Sequence, residues 1–358
     1  MTDSGLFITL YDEAALETYI ASGVYGPLMR PLTNDSSRKA LSIHFSVFAD
    51  LACAKPGTHV FFFLKRRIYY GGRISADSPR PAVVLNGSGG RMSAHDDPPQ
   101  VWVERWRPTY HPDQPQNCIY VVKDGERLER HQPYLIRFTY DDHLSGKSIV
   151  SDDFYFELGR KHYPLPANAI DGMSFCTLTP YEVSVLLRLA DTGRGRTCGN
   201  RQYVAEPPTH YSCSASRRLE DLQFETEAEL EATVIACPAL LAQEIRPNAD
   251  ATICRQVPIS PFKPSHMDRA DICIYQQPLV DQGALPNVII ELKNKPATNN
   301  DVSQIGRYLR WIDQVAPSAS SQIKAFLLAP GYPPRGVDKP DERIRLFDFS
   351  GGEYQHWR

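Results

Sequence analysis

The sequence predicts a mixed α/β fold in two domains, on three observations. The chain has 358 residues, which accommodates two hydrophobic cores at about 100–200 residues per domain. Its first half holds runs of aromatic and β-branched residues, whereas its second half alternates helix-like and strand-like patterns. Between them, a segment rich in Gly, Pro, Ser and Arg interrupts the apolar periodicity. We therefore predict a first domain over residues 1–190, a basic linker over 191–218 and a second domain over 219–358.

The first domain is predicted to be rich in β-structure. Residues 57–74 (GTHVFFFLKRRIYYGGRI) place two β-prone runs on either side of a short basic turn, which indicates a hairpin. Two helices are expected, around residues 12–22 and around 181–190, where Thr179 and Pro180 supply the cap and first turn. Further strand-like runs cover residues 101–106, 118–123, 134–140 and 153–158.

Composition narrows the class of protein. The net charge is −3, so any binding of nucleic acid has to come from local basic patches. No apolar run approaches the roughly 20 residues of a membrane span, and the N-terminus is acidic where a secretory signal is basic, so we expect a cytoplasmic protein that does not contact membranes. The eight cysteines are scattered, and for the cluster Cys198, His210 and Cys213 we prefer free thiols to a structural zinc site.

The second domain is predicted to begin with a helix and to alternate from there. Thr226 and Glu229 form a capping box that opens this helix, whose apolar residues share one face, and Pro238 should end it before a short helical piece over 238–245. Strands are expected over 252–259, 270–275 and 287–293. A helix capped by residues 299–301 should follow, with a buried stripe of Val302, Ile305, Leu309 and Ile312. Strands over 323–328 and 343–349 complete the mixed α/β core.

Three charged residues in this domain suggest chemistry. In a strand the period of two sends Glu291 and Lys293 to one face, while Leu292 points to the other. Asp271 lies in an apolar strand (DICIY), where a buried charge is costly unless it is paired or binds a metal. Two carboxylates on adjacent strands repel each other, and Mg²⁺ or Mn²⁺ relieves that repulsion. We therefore predict a metal site of Asp271, Glu291 and Leu292, beside which Lys293 orients or helps deprotonate a water molecule and offsets charge on a phosphate.

Further polar residues are predicted to reach the same site. Gln304 and Tyr308 are four residues apart on one helix face, beside the buried stripe, and both hydrogen-bond phosphate or metal-bound water readily. On the capped helix, Glu227 and Glu231 are one turn apart, and either is a candidate for the outer shell of the metal.

These residues resemble a known nuclease core. The segments RADICIY, VIIELKNKP and DVSQIGRYLRWI are similar to the PD-(D/E)XK nucleases, most closely to the C-terminal domain of the NucS (EndoMS) endonucleases. The resemblance covers about residues 220–331. It implies a restriction-endonuclease-like α/β core whose catalytic residues are Asp271, Glu291, Lys293, Gln304 and Tyr308, together with Glu227 or Glu231. It also implies Mg²⁺-dependent cleavage of DNA by a homodimer, because cutting both strands of a duplex needs two active sites.

The first domain resembles a different superfamily. Its segments HFSVFADL and PGTHVFFFLKRRIYYGGRI are similar to PUA-like domains, including EVE domains, which implies a β-barrel that holds nucleic acid or a flipped modified base. Such domains sandwich a base between aromatic rings. His44 is expected to be structural. The candidate residues for nucleic-acid binding are Trp102, Trp106, Tyr69 and Tyr70 for the base, and Lys65, Arg66, Arg67, Arg307 and Arg310 for phosphate.

Three functions are compatible with this pattern. The first is an endonuclease that the PUA-like domain directs to modified or foreign DNA, as in restriction or phage defence. The second is a repair endonuclease that acts on mismatched, branched or single-stranded DNA. The third is a non-catalytic nucleic-acid-binding protein in which the acidic cluster holds a metal for structure alone.

Overall fold

The chain is described by a computed structural model over most of its length. The described residues are 3–10, 13–29, 37–85, 119–123, 126–130, 132–158, 175–193, 209–211, 219, 222–260, 268–331, 341–349 and 355–356. Trp102, Trp106, Cys198, Cys213 and the predicted strand over 101–106 lie outside them. The described part is a mixed α and β structure, which confirms the predicted class: a curled, half-barrel sheet is followed by a second sheet with helices.

The first sheet is built mainly from the first half of the chain. Its spatial order is β10-β1-β3-β4-β8-β5-β11, with β2 paired to β8 and β9 paired to β4. β1 and β3 are parallel, while the other pairs are antiparallel. The strands are β1 (Gly5–Thr9), β2 (Val24–Tyr25), β3 (His59–Leu64), β4 (Arg67–Ile74), β5 (Val83–Leu85), β8 (Tyr134–Thr139), β9 (Ser148–Val150), β10 (Phe175–Leu178) and β11 (Thr209–His210). Strands β6 (Ile119–Lys123) and β7 (Glu126–Arg130) form a separate pair.

The predicted hairpin is confirmed as β3 and β4. Lys65 and Arg66 make its two-residue turn, with φ of 49° and 61°. Positive φ at both central positions is the geometry of a type I′ turn, whose twist matches that of the flanking strands. The basic residues therefore lie at the tip of the hairpin.

Four helices accompany this sheet in the described residues: α1 (Glu13–Ser22), α2 (Arg38–Ala52), α3 (Ser151–Leu158) and α4 (Pro180–Asp191). The predicted cap of α4 is confirmed, since the Thr179 hydroxyl accepts the N–H of Glu182 and the Glu182 carboxylate accepts the N–H of Thr179. Helix α2 was not among the predicted elements. It begins at a Ser37 cap and buries Phe45, Phe48 and Leu51. His44 is also buried, as a structural residue should be.

The predicted strand over 153–158 is wrong, because this segment is helix α3. Asp152 and Asp153 lie in its first turn, where carboxylates stabilise the N-terminus of a helix. Phe154 and Leu158, four residues apart, are buried, whereas Phe156 is 84% exposed. The three consecutive aromatic residues Phe154, Tyr155 and Phe156 are typical of a strand in composition, yet the burial follows the period of a helix.

The second sheet has the order β12-β13-β14-β15-β16-β17. Its first three strands are antiparallel, and β14, β15 and β16 run parallel to one another. The elements in chain order are α5 (Glu227–Ala236), β12 (Thr252–Ser260), β13 (Asp268–Tyr275), β14 (Val288–Leu292), α6 (Asn299–Val315), β15 (Lys324–Ala329), β16 (Ile344–Asp348) and β17 (Gln355–His356). The predicted order of helices and strands is confirmed from α5 to β16.

The ends of helices α5 and α6, and the segment after Pro238, differ in detail from the prediction. The N-cap of helix α6 is Thr298, and of the predicted capping residues 299–301 Asp301 accepts the N–H and the hydroxyl of Thr298. The predicted stripe of Val302, Ile305, Leu309 and Ile312 is buried. At the start of α5 the Thr226 hydroxyl accepts the N–H of Glu229, but the Glu229 carboxylate accepts the N–H of Glu225. The short helical piece after Pro238 is a single 3₁₀ turn over Pro238–Leu240.

The two sheets are joined by packing of α2 on α5. One hydrophobic cluster runs from Phe45 and Phe48 on α2 to Leu230 and Val234 on α5 and on to Ile272. A second cluster fills the opposite face of the second sheet, between its strands and α6. The predicted linker also contains regular structure, because β11 within it pairs with β5. The division into domains stays a prediction.

Two further expectations concern cysteines and membranes. Of the described cysteines, Cys53, Cys176, Cys254 and Cys273 are free, whereas Cys237 is disulfide-bonded; Cys198 and Cys213, for which free thiols were predicted, lie outside the described residues. Of the described helices, none combines the length and apolar character that crossing a bilayer requires.

Candidate active site

Asp271 and Glu291 lie opposite each other where the pairing of β13 with β14 ends. The last paired residues are Ile272 and Ile290, and Asp271 and Glu291 follow next on each strand. There the Asp271 carboxylate, rather than a backbone carbonyl, accepts the N–H of Leu292, at 2.7 Å from Oδ2. The side chain of Leu292 lies in the cluster on the α5 face of the sheet. Two carboxylates and the backbone of Leu292 thus share the end of the β13–β14 ladder.

Glu291 is almost completely buried, with 1% of its surface exposed. Its Oε1 lies 2.9 Å from Lys293 Nζ, and its Oε2 lies 3.2 Å from the Tyr308 hydroxyl on α6. A buried carboxylate requires such partners. The two contacts fix the orientation of the Glu291 side chain from both sides.

Gln304 and Tyr308 form a short hydrogen-bonded pair on α6. The amide of Gln304 donates to the Tyr308 hydroxyl. This hydroxyl has a single proton, and it faces both the Arg269 carbonyl at 2.7 Å and Glu291 Oε2 at 3.2 Å. Gln304 therefore reaches Glu291 through Tyr308.

Helix α5 brings two carboxylates to the same region, and they differ in exposure and in their partners. Glu227 lies 3.5 Å from Lys293 Nζ, and 43% of its side chain is exposed. Glu231 is buried and accepts two hydrogen bonds from the Arg255 guanidinium, at 3.0 and 2.6 Å. Because the charge of Glu231 is already paired with Arg255, the geometry favours Glu227 as the helix carboxylate that is available beside Lys293.

Three residues beside this cluster were not found by sequence reasoning: Asp50, Arg255 and Gln256. Arg255 also donates to Asp50 on α2 at 2.7 Å, and the Gln256 amide donates to Glu231 at 3.2 Å and to Asp271 at 3.1 Å. A signal did exist, since Arg255 and Gln256 are consecutive polar residues in an otherwise apolar strand (TICRQVPI). Asp50 carried no such signal, because its contact depends on the packing of α2.

Burial and charge crowding raise the pKa of both strand carboxyls. Burial, followed by the nearby carboxylates of Glu291 and Glu231, holds the pKa of Asp271 well above its usual range. Burial also raises the pKa of Glu291 to about 7, against the opposing effect of Lys293. For Lys293, burial favours the neutral amine, but Glu291, Asp271 and Glu227 outweigh it and raise the pKa of its ammonium group. Lys293 therefore stays a cation.

The donor set fits a hard divalent cation. Four carboxylates (Asp50, Glu227, Glu231 and Glu291) are paired with two cations, Lys293 and Arg255, whereas the fifth, Asp271, has no ion-pair partner among the described residues. No three His, Cys, Asp or Glu side chains in the described part are grouped to hold a metal. Mg²⁺, however, typically takes one or two carboxylates and keeps several waters. Asp271, Glu291 and the Leu292 carbonyl suit such an ion better than one enclosed by many side chains.

A cavity of about 440 Å³ opens beside these carboxylates, between the two halves of the chain. Helix α2 forms one wall with Ser42, Ser46 and Asp50, and the opposite wall includes Glu227, Glu231 and Asp271. Neither serine hydroxyl has a hydrogen-bond partner within the described residues. Asp271 is thus reached from a cleft that the first half of the chain helps to form.

Most of the basic residues predicted to bind phosphate contact other side chains of the protein. At the hairpin tip, Lys65 contacts Glu13 at 3.2 Å and Arg66 contacts Asp152 at 2.6 Å. Arg67 donates to Ser148 on β9, and Arg307 pairs with Asp268 at 2.7 Å. Arg310 is exposed and forms no ion pair with the described residues.

The two tyrosines predicted to stack on a base differ in exposure. Tyr70 is buried, with 1% of its surface exposed, and its hydroxyl lies 3.0 Å from His59 Nδ1. It belongs to the core of the first sheet, so the prediction that it stacks on a base is wrong. Tyr69 is half-buried and packs against the hydrophobic cluster shared with α5.

The function of this site has to be inferred from its geometry, because comparison with known proteins gives no relative. No protein-family model, no curated protein and no solved structure matches the chain.

Proposed function

We propose that this chain is a metal-dependent endonuclease that hydrolyses phosphodiester bonds in DNA. One observation carries the proposal: Asp271 and Glu291 lie opposite each other at the end of the β13–β14 ladder, with Lys293 Nζ 2.9 Å from Glu291. The order of elements from α5 to β16 also agrees with the nuclease core that the sequence resembles. Two buried carboxylates can hold a divalent cation, because the cation offsets the repulsion between their charges. The bound cation then binds the phosphate of the substrate.

Each residue has a defined part in this proposal. Asp271, Glu291 and the Leu292 carbonyl hold Mg²⁺ or Mn²⁺, which when bound polarises the phosphate and lowers the pKa of a bound water. Lys293, kept protonated by its acidic neighbours, orients the attacking water and offsets the negative charge that builds on the phosphate. Tyr308, supported by Gln304, fixes Glu291, and Glu227 extends the carboxylate set from α5.

The activity is tested with a panel of DNA and RNA substrates. Single-stranded, duplex, branched, mismatched and base-modified DNA, together with RNA, are incubated with Mg²⁺ or Mn²⁺. We expect the wild-type protein to cleave DNA and Glu291→Ala to lose cleavage while still binding DNA. Glu225→Ala is the matched control, because Glu225 is an exposed glutamate just before α5. Equal cleavage by wild type and Glu291→Ala would exclude this active site.

A protein that only binds DNA gives a different result. In that case no substrate in the panel is cut with either metal, although DNA is still bound. This outcome would make the acidic cluster a structural metal site.

We further propose that the first half of the chain directs cleavage to modified or foreign DNA. The observation that supports this role is that α2, which belongs to the first half of the chain, forms a wall of the cleft beside Asp271. Preference for base-modified duplex in the panel would support this role. Preference for mismatched, branched or single-stranded DNA would assign the protein to repair instead.

Cleavage of both strands also calls for two active sites, so we propose a homodimer. Sedimentation of the protein at assay concentration measures its mass, and a purely monomeric species that still makes double-strand breaks would contradict the dimer.

A further inference from the structure

Gln256 occupies an unusual backbone position in β12. Its φ is +51°, a left-handed conformation that is uncommon for residues other than glycine and costs energy. It lies opposite Asp271, because the pairs on either side are Arg255 with Ile272 and Val257 with Ala270. The left-handed residue of β12 is therefore next to the carboxylate that the proposed function assigns to the metal.

This backbone conformation has a direct effect on side-chain direction. In an extended strand successive side chains point to opposite faces. Here Arg255 and Gln256 are consecutive, and yet both contact Glu231 on α5. The side chains after Gln256 change face as well. Ile253 and Val257 are four residues apart and would share a face in a regular strand, yet Ile253 lies in the cluster on the α5 side and Val257 lies in the cluster on the α6 side. The left-handed turn thus places Gln256 on the side of the carboxylates.

The amide of Gln256 joins two carboxylates. Its Nε2 lies 3.2 Å from Glu231 Oε1 and 3.1 Å from Asp271 Oδ1, so each of its two hydrogens has an acceptor. The other oxygen of Asp271 accepts the N–H of Leu292. Because the amide is neutral, it orients Asp271 without pairing its charge, whereas a lysine or arginine here would compete with a metal ion for that carboxylate.

The far end of this network lies on α2. Arg255 binds Glu231 through two nitrogens and Asp50 through a third, and all three side chains are buried. The contacts therefore run from Asp50 through Arg255, Glu231 and Gln256 to Asp271. Side chains that orient a metal ligand affect metal affinity by about 10–100-fold.

We infer that Gln256 is a positioning residue for the metal ligand Asp271, held in place by the Arg255–Glu231 pair that Asp50 anchors to the first half of the chain. The inference rests on the proposed function only in taking Asp271 as a metal ligand. In this inference, the left-handed backbone at Gln256 directs the side-chain amide toward the Asp271 carboxylate.

The test replaces Gln256 by glycine and measures metal binding directly. Gln256→Gly removes the amide but accepts the left-handed backbone without cost. Titration of the full-length protein with Mn²⁺, followed by electron paramagnetic resonance of the free ion, should show affinity about 10–100-fold weaker than wild type. Gln282→Gly is the matched control, because Gln282 has φ of +56° and is exposed in the short 3₁₀ turn Asp281–Gly283. Its Mn²⁺ affinity should equal that of wild type.

The outcomes are distinct. Wild-type Mn²⁺ affinity in folded Gln256→Gly, with folding checked by circular dichroism, would overturn the inference. If the glycine variant does not fold, Gln256→Asn serves instead, since asparagine tolerates the left-handed region and its amide is one methylene shorter; undiminished affinity there would overturn it equally. Wild-type protein that binds Mn²⁺ but cuts no nucleic acid would reject the nuclease proposal and leave this inference standing.

Discussion

Asp271 Oδ2 accepts the backbone N–H of Leu292 at 2.7 Å, so the end of the β13–β14 ladder is closed by a side chain instead of a carbonyl. This bond fixes Asp271 beside Glu291 although the two charges repel each other. The fold therefore holds the carboxylates together at a cost in stability, which a bound cation would offset.

Asp271→Asn tests this cost. The asparagine oxygen still accepts the N–H of Leu292 and the negative charge beside Glu291 and Glu231 is gone, although the hydrogen bond that Asp271 Oδ1 accepts from the Gln256 amide is lost. We expect the metal-free variant to unfold at a higher temperature than wild type and to lose the stabilisation that Mg²⁺ gives the wild-type protein. Differential scanning calorimetry with and without Mg²⁺ measures both effects. A lower unfolding temperature in the absence of metal would contradict the repulsion between these carboxylates.

The raised pKa of Glu291 predicts how stability depends on pH. Its pKa rises from 4.5 to about 7 in the folded protein, so between these values the folded state binds more protons than the unfolded state. The stability contributed by Glu291 is present below the unfolded pKa and is lost as pH rises through the folded pKa. The free energy of unfolding of the metal-free protein should therefore decrease across this window.

Urea denaturation at several pH values measures this dependence. Glu291→Gln is the control, because it keeps the shape of the side chain without the titrating group, and its stability should fall less steeply with pH. Identical slopes for the two proteins would exclude Glu291 as a source of the effect.

Lys293→Met should slow cleavage far more than it weakens DNA binding. The variant loses the cation that offsets charge on the phosphate, and loss of one such group costs about 10²–10³-fold in rate. Single-turnover cleavage at saturating protein isolates the chemical step. Lys295→Met is the matched control, since Lys295 is exposed two residues further along. Comparable rates for the two variants would remove Lys293 from the mechanism.

The assignment of residues 151–158 to a helix makes a separate prediction. Phe154 is fully buried, while Phe156 is 84% exposed. Phe154→Ala should therefore cost about 3–5 kcal/mol of unfolding free energy, and Phe156→Ala less than about 0.5 kcal/mol. In a strand both side chains would lie on one face. Equal losses in denaturant titrations would therefore argue for the strand.

The elements that the sequence predicted well are those with strong local signals. The hairpin of β3 and β4 carries a basic two-residue turn between β-prone runs, and α4 carries both halves of its capping box. Helix α6 has a continuous buried stripe. In each case residues close in sequence specify the structure, so no knowledge of the rest of the chain is needed.

The errors arose where local patterns are ambiguous. Residues 153–158 contain three consecutive aromatic side chains, a composition typical of a strand, and only packing against the sheet and α4 decides for a helix. Tyr70 was expected to stack on a base because the first domain resembles PUA-like domains, which hold a base between aromatic rings. Its burial against His59 depends on how β3 and β4 pair with their neighbours.

The sequence by itself determined the order of elements in the second half, and it placed Glu291 and Lys293 on one face, because the period of a strand fixes which side chains share a face. The tertiary structure alone decided that Glu231 pairs with Arg255, that Gln256 turns back toward Asp271, and that Asp50 on α2 joins them. These contacts link residues up to 205 positions apart, and one of them needs a left-handed backbone at Gln256 that no local pattern requires. Charge pairing across such distances is set by the packing of helices and sheets, which short-range periodicity does not encode.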